Sequence, residues 1–196
     1  SYLKKQCGVD LSYENIWAAN GSNEILQSIF LAFGSATAIG FVPSYSMHPL
    51  IGKVANVNWV EGERNPDFSL NLVAALNQIK KVQPALTFIT NPNNPTGTSL
   101  SISEIEELVK ATSQVNGLLI VDEAYAEFSK ESSAITLISK YPNILVSRTM
   151  SKAFAFAGVR LGYLVANKVV VDALQLARLP YHLSAITQAA AEVALD

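Results

Sequence analysis

The sequence predicts a three-layer α/β/α domain on a mostly parallel sheet of about seven strands, one of them antiparallel. Three observations predict it. Short apolar runs of buried-strand character alternate with stretches that are apolar at helical spacing. The residues able to do chemistry fall just after those runs or at a helix start, where open α/β sheets hold ligands. The run Leu161–Ala166 follows Arg160 too closely for a crossover helix, so it is expected to lie antiparallel to its neighbour.

In chain order, Ser1 to Cys7 reads as the end of a helix, followed by Gly8. Asn15 to Asn20 is a short apolar segment. Gly21-Ser22-Asn23-Glu24 then opens a helix carrying Ile25, Leu26, Ile29, Phe30 and Phe33, with Asn20 or Ser22 as its cap. Such a turn is either a plain capped helix start or a phosphate seat, because free N–H groups and the positive dipole end suit an anion. Ala36–Val42 reads as a buried strand ending in the turn-rich loop Pro43-Ser44-Tyr45-Ser46-Met47-His48-Pro49. Tyr45 either packs there or stacks on a planar ligand, and His48 reads as a loop histidine. Val54–Val60 is a further strand, Glu61–Asp67 a polar loop, and Leu70–Val82 a helix.

Ala85–Thr90 is a buried strand running into Asn91-Pro92-Asn93-Asn94-Pro95-Thr96-Gly97. Two prolines fix that turn and asparagines favour it, so one amide can be held in a set direction. Ser101 or Ser103 caps a helix to about Thr112, with Glu104 in its first turn. Gly117–Val121 is a strong strand pattern followed by Asp122-Glu123-Ala124-Tyr125. A carboxylate there either caps the next turn or meets a cationic partner, since an unpaired buried charge is costly. Ile144–Ser147 is a strand, Val169–Leu179 a helix ending at Pro180, and His182 sits in a structural loop. Ser184–Asp196 reads as a helix without a stop signal, and both ends of the chain read as cut.

The stretch from Ser147 to Arg160 joins hydroxyls at Thr149 and Ser151, a lysine at Lys152 among small and apolar neighbours, and an arginine. Desolvation or nearby positive charge lowers an amine pKa and frees it to attack a carbonyl. Thr149, Ser151 and Arg160 suit a single phosphate. A lysine for an aldehyde beside a phosphate clamp describes a pyridoxal 5′-phosphate (PLP) site, and Asp122 would pair with a protonated pyridine nitrogen. Alone, the stretch reads equally well as a surface lysine and an ion-paired arginine near a turn.

Composition narrows the class further. The 196 residues are 49% hydrophobic and 15% charged, with a formal net charge of −2, a soluble globular balance. Near-neutral charge without a basic run argues against a nucleic-acid surface. No apolar run approaches the roughly 18 to 20 residues of a membrane helix, and no signal-peptide pattern is present. The single cysteine, Cys7, cannot form an internal disulfide, as expected of a reducing, cytoplasmic setting. No metal-ligand cluster stands out.

Asn93-Asn94-Pro95-Thr96-Gly97, Asp122-Glu123-Ala124-Tyr125, and Ser151-Lys152 followed by Arg160 resemble, in order and spacing, the markers of fold-type I PLP-dependent aminotransferases. The resemblance covers the whole chain. Asn20-Gly21-Ser22-Asn23-Glu24-Ile25-Leu26, Pro43 to Pro49 and Leu179 to Ser184 carry a narrower resemblance, to the branch acting on histidinol phosphate. It implies that Lys152 holds the cofactor aldehyde covalently and then moves the proton between Cα and C4′. Asp122 would pair with the pyridine nitrogen, while Asn94 and Tyr125 would bond the ring's phenolic oxygen. Tyr45 would stack on the ring. Ser22, Asn23, Thr149, Ser151 and Arg160 would hold the phosphate, and Gly21 would allow close backbone approach. The implied reaction transfers an amino group from L-histidinol phosphate to 2-oxoglutarate in histidine biosynthesis. Aromatic-amino-acid transamination is the alternative, ahead of a phospho-amino-acid decarboxylase or a non-catalytic α/β binding domain. The resemblance also implies a homodimer. Residues 1–196 would be the PLP-binding large domain, lacking a small domain with a substrate-binding arginine and an N-terminal segment with a tyrosine for the partner subunit. Alone, such a fragment is expected to bind PLP weakly and turn over poorly.

Overall fold

Strands that are apolar on both sides need cover on both faces, and the central strands here are of that kind. All five residues of β4 (Leu86–Thr90) and all six of β6 (Ile144–Thr149) are buried. The structure, a computed structural model, describes residues 2–195; Ser1 and Asp196, the outermost residues of two expected helices, lie outside them. The sheet has seven strands in the order β1-β7-β6-β5-β4-β2-β3, the remaining five being β1 (Ile16–Ala19), β2 (Thr37–Val42), β3 (Asn58–Glu63), β5 (Leu118–Asp122) and β7 (Gly162–Ala166). Five central and outer strands run parallel, and β7 runs antiparallel to both β6 and β1.

Alternation along a strand sends neighbouring side chains to opposite faces, which builds two cores. Leu119 and Val121 join Ile39, Ile79, Ile105 and Leu108 under α4 (Leu72–Val82) and α5 (Ile102–Gln114), with Leu3 of α1 (Tyr2–Cys7) on the same side. Ile120 joins Ile25, Ile29, Phe30, Phe88, Leu164 and Leu174 under α2 (Ser22–Phe33), α3 (Met47–Val54) and α6 (Lys168–Ala177). Phe30 and Phe88 stack at a centroid separation of 4.8 Å, a geometry that contributes about 0.5–1.5 kcal/mol beyond area burial. Helix α7 (Ala185–Leu195) closes the described chain. Among the described residues no helix is long and apolar enough to cross a membrane.

Three local expectations need correction. The segment at 43–49 is not all loop, because α3 begins at Met47 and contains His48 and Pro49. Pro49 falls in the first turn, where its missing N–H has no helical partner to lose. The strand expected at Val54–Val60 is shifted to Asn58–Glu63, taking in Glu61 and Glu63 from the expected polar loop. Its only neighbour among the described residues is β2, so its polar side chains reach water without leaving the sheet. Helix α2 is capped by neither Asn20 nor Ser22; Gly21 occupies the N-cap at φ 81° and no side chain caps the helix.

Topology places the chemistry. The C-terminal ends of β1, β2, β4, β5 and β6 share one edge of the sheet, and the antiparallel β7 starts there. The loops carrying Gly21, Tyr45, Asn94, Tyr125 and Lys152 all leave that edge.

Candidate active site

At the α2 N-terminus an arginine sits where a cation is least welcome. The uncapped amides of the first turn carry partial positive charge, and Arg160 packs directly against Gly21. A Cβ built on Gly21 would lie 2.7 Å from Arg160 Nη2. Arg160 has φ 61°, unusual for a residue with a side chain, and its Nη1 donates to the Ala157 carbonyl at 3.1 Å. Glu24 turns back to accept from the Asn20 amide at 2.6 Å, leaving the Ser22 and Asn23 end of the helix facing the pocket. Two positive features brought together this way are the chemistry of an anion seat.

The seat is braced from behind. Gly162 opens β7 so close to α2 that a Cβ there would meet Ser22 N at 2.4 Å. Gly162→Ala is therefore expected to push the α2 N-terminus off the strand. A loss of about 1–3 kcal/mol, as overpacking costs, should appear in thermal unfolding. Weaker binding of PLP in an equilibrium titration should accompany it.

Opposite the seat, the buried Asp122 lies at the end of β5. Its Oδ2 meets His48 Nε2 at 3.0 Å, both side chains being 3% exposed. His48 is packed edge-on to Tyr45 at 5.3 Å and tilted over Phe88 at 5.0 Å. The other carboxylate oxygen, Oδ1, is buried without a hydrogen-bond partner among the described residues. A buried carboxylate oxygen left unpaired is costly. A protonated aromatic nitrogen at that position would remove the cost, so the residues present fit the ring of PLP as well as its phosphate.

One pocket gathers these groups. Ser22, Asn23, Tyr45, Asn94, Asp122, Tyr125, Thr149, Ser151, Lys152 and Arg160 all line it, with Gly21 behind Arg160. Tyr45 donates its hydroxyl proton to Asn23 Oδ1 at 3.3 Å. Thr149 Oγ1 accepts from the Ser151 amide at 3.1 Å and donates to the Leu161 carbonyl at 3.4 Å. Lys152 Nζ stands 5.4 Å from the Tyr125 ring centroid, within cation–π reach. Of the two adjacent asparagines, Asn93 is structural: its Nδ2 donates to the Pro43 carbonyl and Thr96 Oγ1, and its Oδ1 accepts from Ser44. Asn94 is thereby left to the pocket.

Lys152 departs from expectation. The sequence suggested a desolvated amine, yet in this chain Lys152 is exposed. Sequence reading also missed Thr90, Ala124 and Ala157, which line the pocket, and the contact of His48 with Asp122 across 74 residues. Thr90 carried a usable signal, being a hydroxyl at a strand's C-terminal end. A larger apolar hollow of about 460 Å³ lies between α1, β1 and α7, lined by Leu3, Leu11, Met150 and Ala191 among others. The residues that hold the chemistry are not there, so the smaller polar pocket is the candidate site.

This sheet order places the lysine loop and the α2 N-terminus with its arginine on one edge, around one pocket. The chain belongs to the class I and II aminotransferase family, whose model matches residues 1–196. It is 56% identical, over its whole length, to the histidinol-phosphate aminotransferase of Mycobacterium ulcerans (strain Agy99), of which it covers 51%. It is 54% identical, again over its whole length, to that of Corynebacterium glutamicum (strain R), of which it covers 53%. The chain thus spans about half the length of the curated relatives it matches. Among solved structures, all of this chain superposes on 56% of the histidinol-phosphate aminotransferase from Clostridium acetobutylicum, with a TM-score of 0.87 and 26% identity. A PLP-bound C-S lyase from Staphylococcus hominis shares the fold at a TM-score of 0.87 and 19% identity, over 99% of this chain and 52% of that one.

Proposed function

We propose that residues 1–196 are the PLP-binding large domain of a longer aminotransferase that moves the amino group of L-histidinol phosphate to 2-oxoglutarate. The observation that carries the cofactor reading is the unpartnered Oδ1 of buried Asp122 in one pocket with Lys152. The substrate reading rests on relatives 53–56% identical that bear the name histidinol-phosphate aminotransferase.

PLP bound here would supply an aldehyde to take up the amino group and a cationic ring to withdraw electrons. Asp122 Oδ1 would hold the proton on the ring nitrogen, with His48 fixing the carboxylate through Oδ2. Ser22, Asn23, Thr149, Ser151 and Arg160 would bind the phosphate, with Gly21 giving room for Arg160. Tyr45 would lie against the ring, and Asn94 and Tyr125 would bond its phenolic oxygen. Lys152 Nζ would anchor the aldehyde carbon, then take the donor's Cα proton and return it on the other side of the transfer. The reading includes a homodimer in the cytoplasm. The exposure of Lys152 supports the view that another part of the enzyme covers the site.

The test uses the full-length protein loaded with PLP, in single-turnover mixing with L-histidinol phosphate or L-phenylalanine. Rapid loss of the visible cofactor band with histidinol phosphate alone is the expected result. Faster loss with phenylalanine would move the function to aromatic transamination, and no visible band at all would sink the cofactor reading. The isolated 196-residue chain is expected to bind PLP weakly and turn over poorly. Steady turnover by it alone would overturn the assignment as an incomplete domain.

A further inference from the structure

Behind the pocket, on the far face of the sheet, lies a buried ion pair. Glu123 follows Asp122 and Arg148 precedes Thr149, so the pleat turns both side chains away from the pocket. They are 2% and 3% exposed. Arg148 Nε and Nη2 donate to Glu123 Oε2 at 3.0 and 2.8 Å. Ser133 Oγ donates to the same oxygen and the Ala134 amide to Oε1, each at 2.7 Å. Arg148 Nη1 reaches Glu127 at 3.4 Å. Burial pulls the Arg148 pKa down, but Glu123, Tyr163 and Glu127 more than reverse this, leaving it above the ordinary arginine value.

Stability is weak ground for two charges here, because well-packed apolar residues of like volume often serve a core as well or better. Geometry gives them another role. The last matched residues of β5 and β6 are Asp122 and Ser147, and the Glu123 amide makes a final bond to the Ser147 carbonyl at 2.8 Å. Beyond that point β6 runs on to Thr149 paired with β7 only. The planar guanidinium, whose Nε and Nη2 donors are fixed relative to each other and both meet Glu123 Oε2, takes over where the backbone ladder stops.

We propose that the Glu123–Arg148 pair is a positioning device for the cofactor pocket. It clamps the ends of β5 and β6 so that Asp122 and Thr149, each one residue away on the opposite face, hold the ring nitrogen and phosphate of PLP at a set separation. This rests on the cofactor reading above.

The test compares full-length wild type with two variants, Glu123→Gln/Arg148→Met and Arg148→Lys. The first removes both charges while the glutamine keeps an acceptor for Ser133 and Ala134. The second keeps the charge and loses the fork. Three quantities are read: unfolding temperature without cofactor, the PLP dissociation constant, and the visible circular dichroism of bound PLP, which reports how the ring is held. The double variant should melt near wild type, yet its PLP dissociation constant should rise about tenfold, equivalent to ~1.4 kcal/mol, and its dichroism band should change. Arg148→Lys should shift affinity and band in the same direction. Wild-type affinity and band in a folded double variant would overturn the proposal. Should the double variant not fold, an unchanged Arg148→Lys would overturn it equally. Failure of the wild type to bind PLP is a separate result, bringing down the cofactor reading and this one with it.

Discussion

Lys152→Ala is expected to abolish covalent capture of PLP and to lower transamination by about four orders of magnitude, the upper range for a positioned acid–base group. Among the described residues Lys152 is the one amine lining the pocket, since the other cation lining it, Arg160, is a guanidinium against the α2 N-terminus. Removing Lys152 leaves Asp122, the seat and Tyr125 untouched, so PLP should still bind, only reversibly. Borohydride treatment followed by mass measurement should therefore add the cofactor's mass to wild type and nothing to the variant. A cofactor mass retained in Lys152→Ala would place the anchor on another residue.

Asp122→Asn is the second large effect. The variant keeps the shape of the side chain and a partner for His48, but removes the negative charge. Removing a group aimed at charge that develops during reaction costs about 2.7–4 kcal/mol, so the rate of amino-group transfer should fall by roughly two to three orders of magnitude. Because PLP binding also draws on the phosphate seat, its affinity should fall less than its rate. The pair of measurements separates a ring-nitrogen partner from a mere wall residue. Equal and small losses in both would show that Oδ1 does not meet the ring. A cofactor analogue lacking the basic ring nitrogen should make wild type and Asp122→Asn alike, a check independent of the variant's stability.

Much of the site was legible because each residue followed a strand or opened a helix. Asp122, Asn94, Tyr45 and Thr149 were each found from a hydrophobic run that ended in a polar group, and all line the one pocket. The helix start proposed as the phosphate seat was legible as a Gly-Ser-Asn turn, but its cap was not. Gly21 at positive φ, with Arg160 against it, rests on a contact across the sheet that local propensity does not register. His48 was misread for the same reason: in sequence it belongs to a turn-rich loop, whereas in space it is the buried partner of Asp122. Glu123 was visible only as part of a run of letters, and its partner Arg148 lies 25 residues on.

By itself the sequence determined the three layers, the mostly parallel sheet and the antiparallel last strand, because hydrophobic periodicity and connection length are local quantities. It also offered candidates to serve a phosphate, an aldehyde and a ring nitrogen, since that is a matter of residue chemistry. Only the tertiary structure decided which oxygen of Asp122 has no partner among the described residues, that Lys152 stands open to solvent, and that a buried ion pair lies at the strand ends behind the pocket. Those depend on burial and on distances between segments far apart in the chain, and the free energy of a charge or a polar atom is set by its surroundings rather than by its neighbours in sequence.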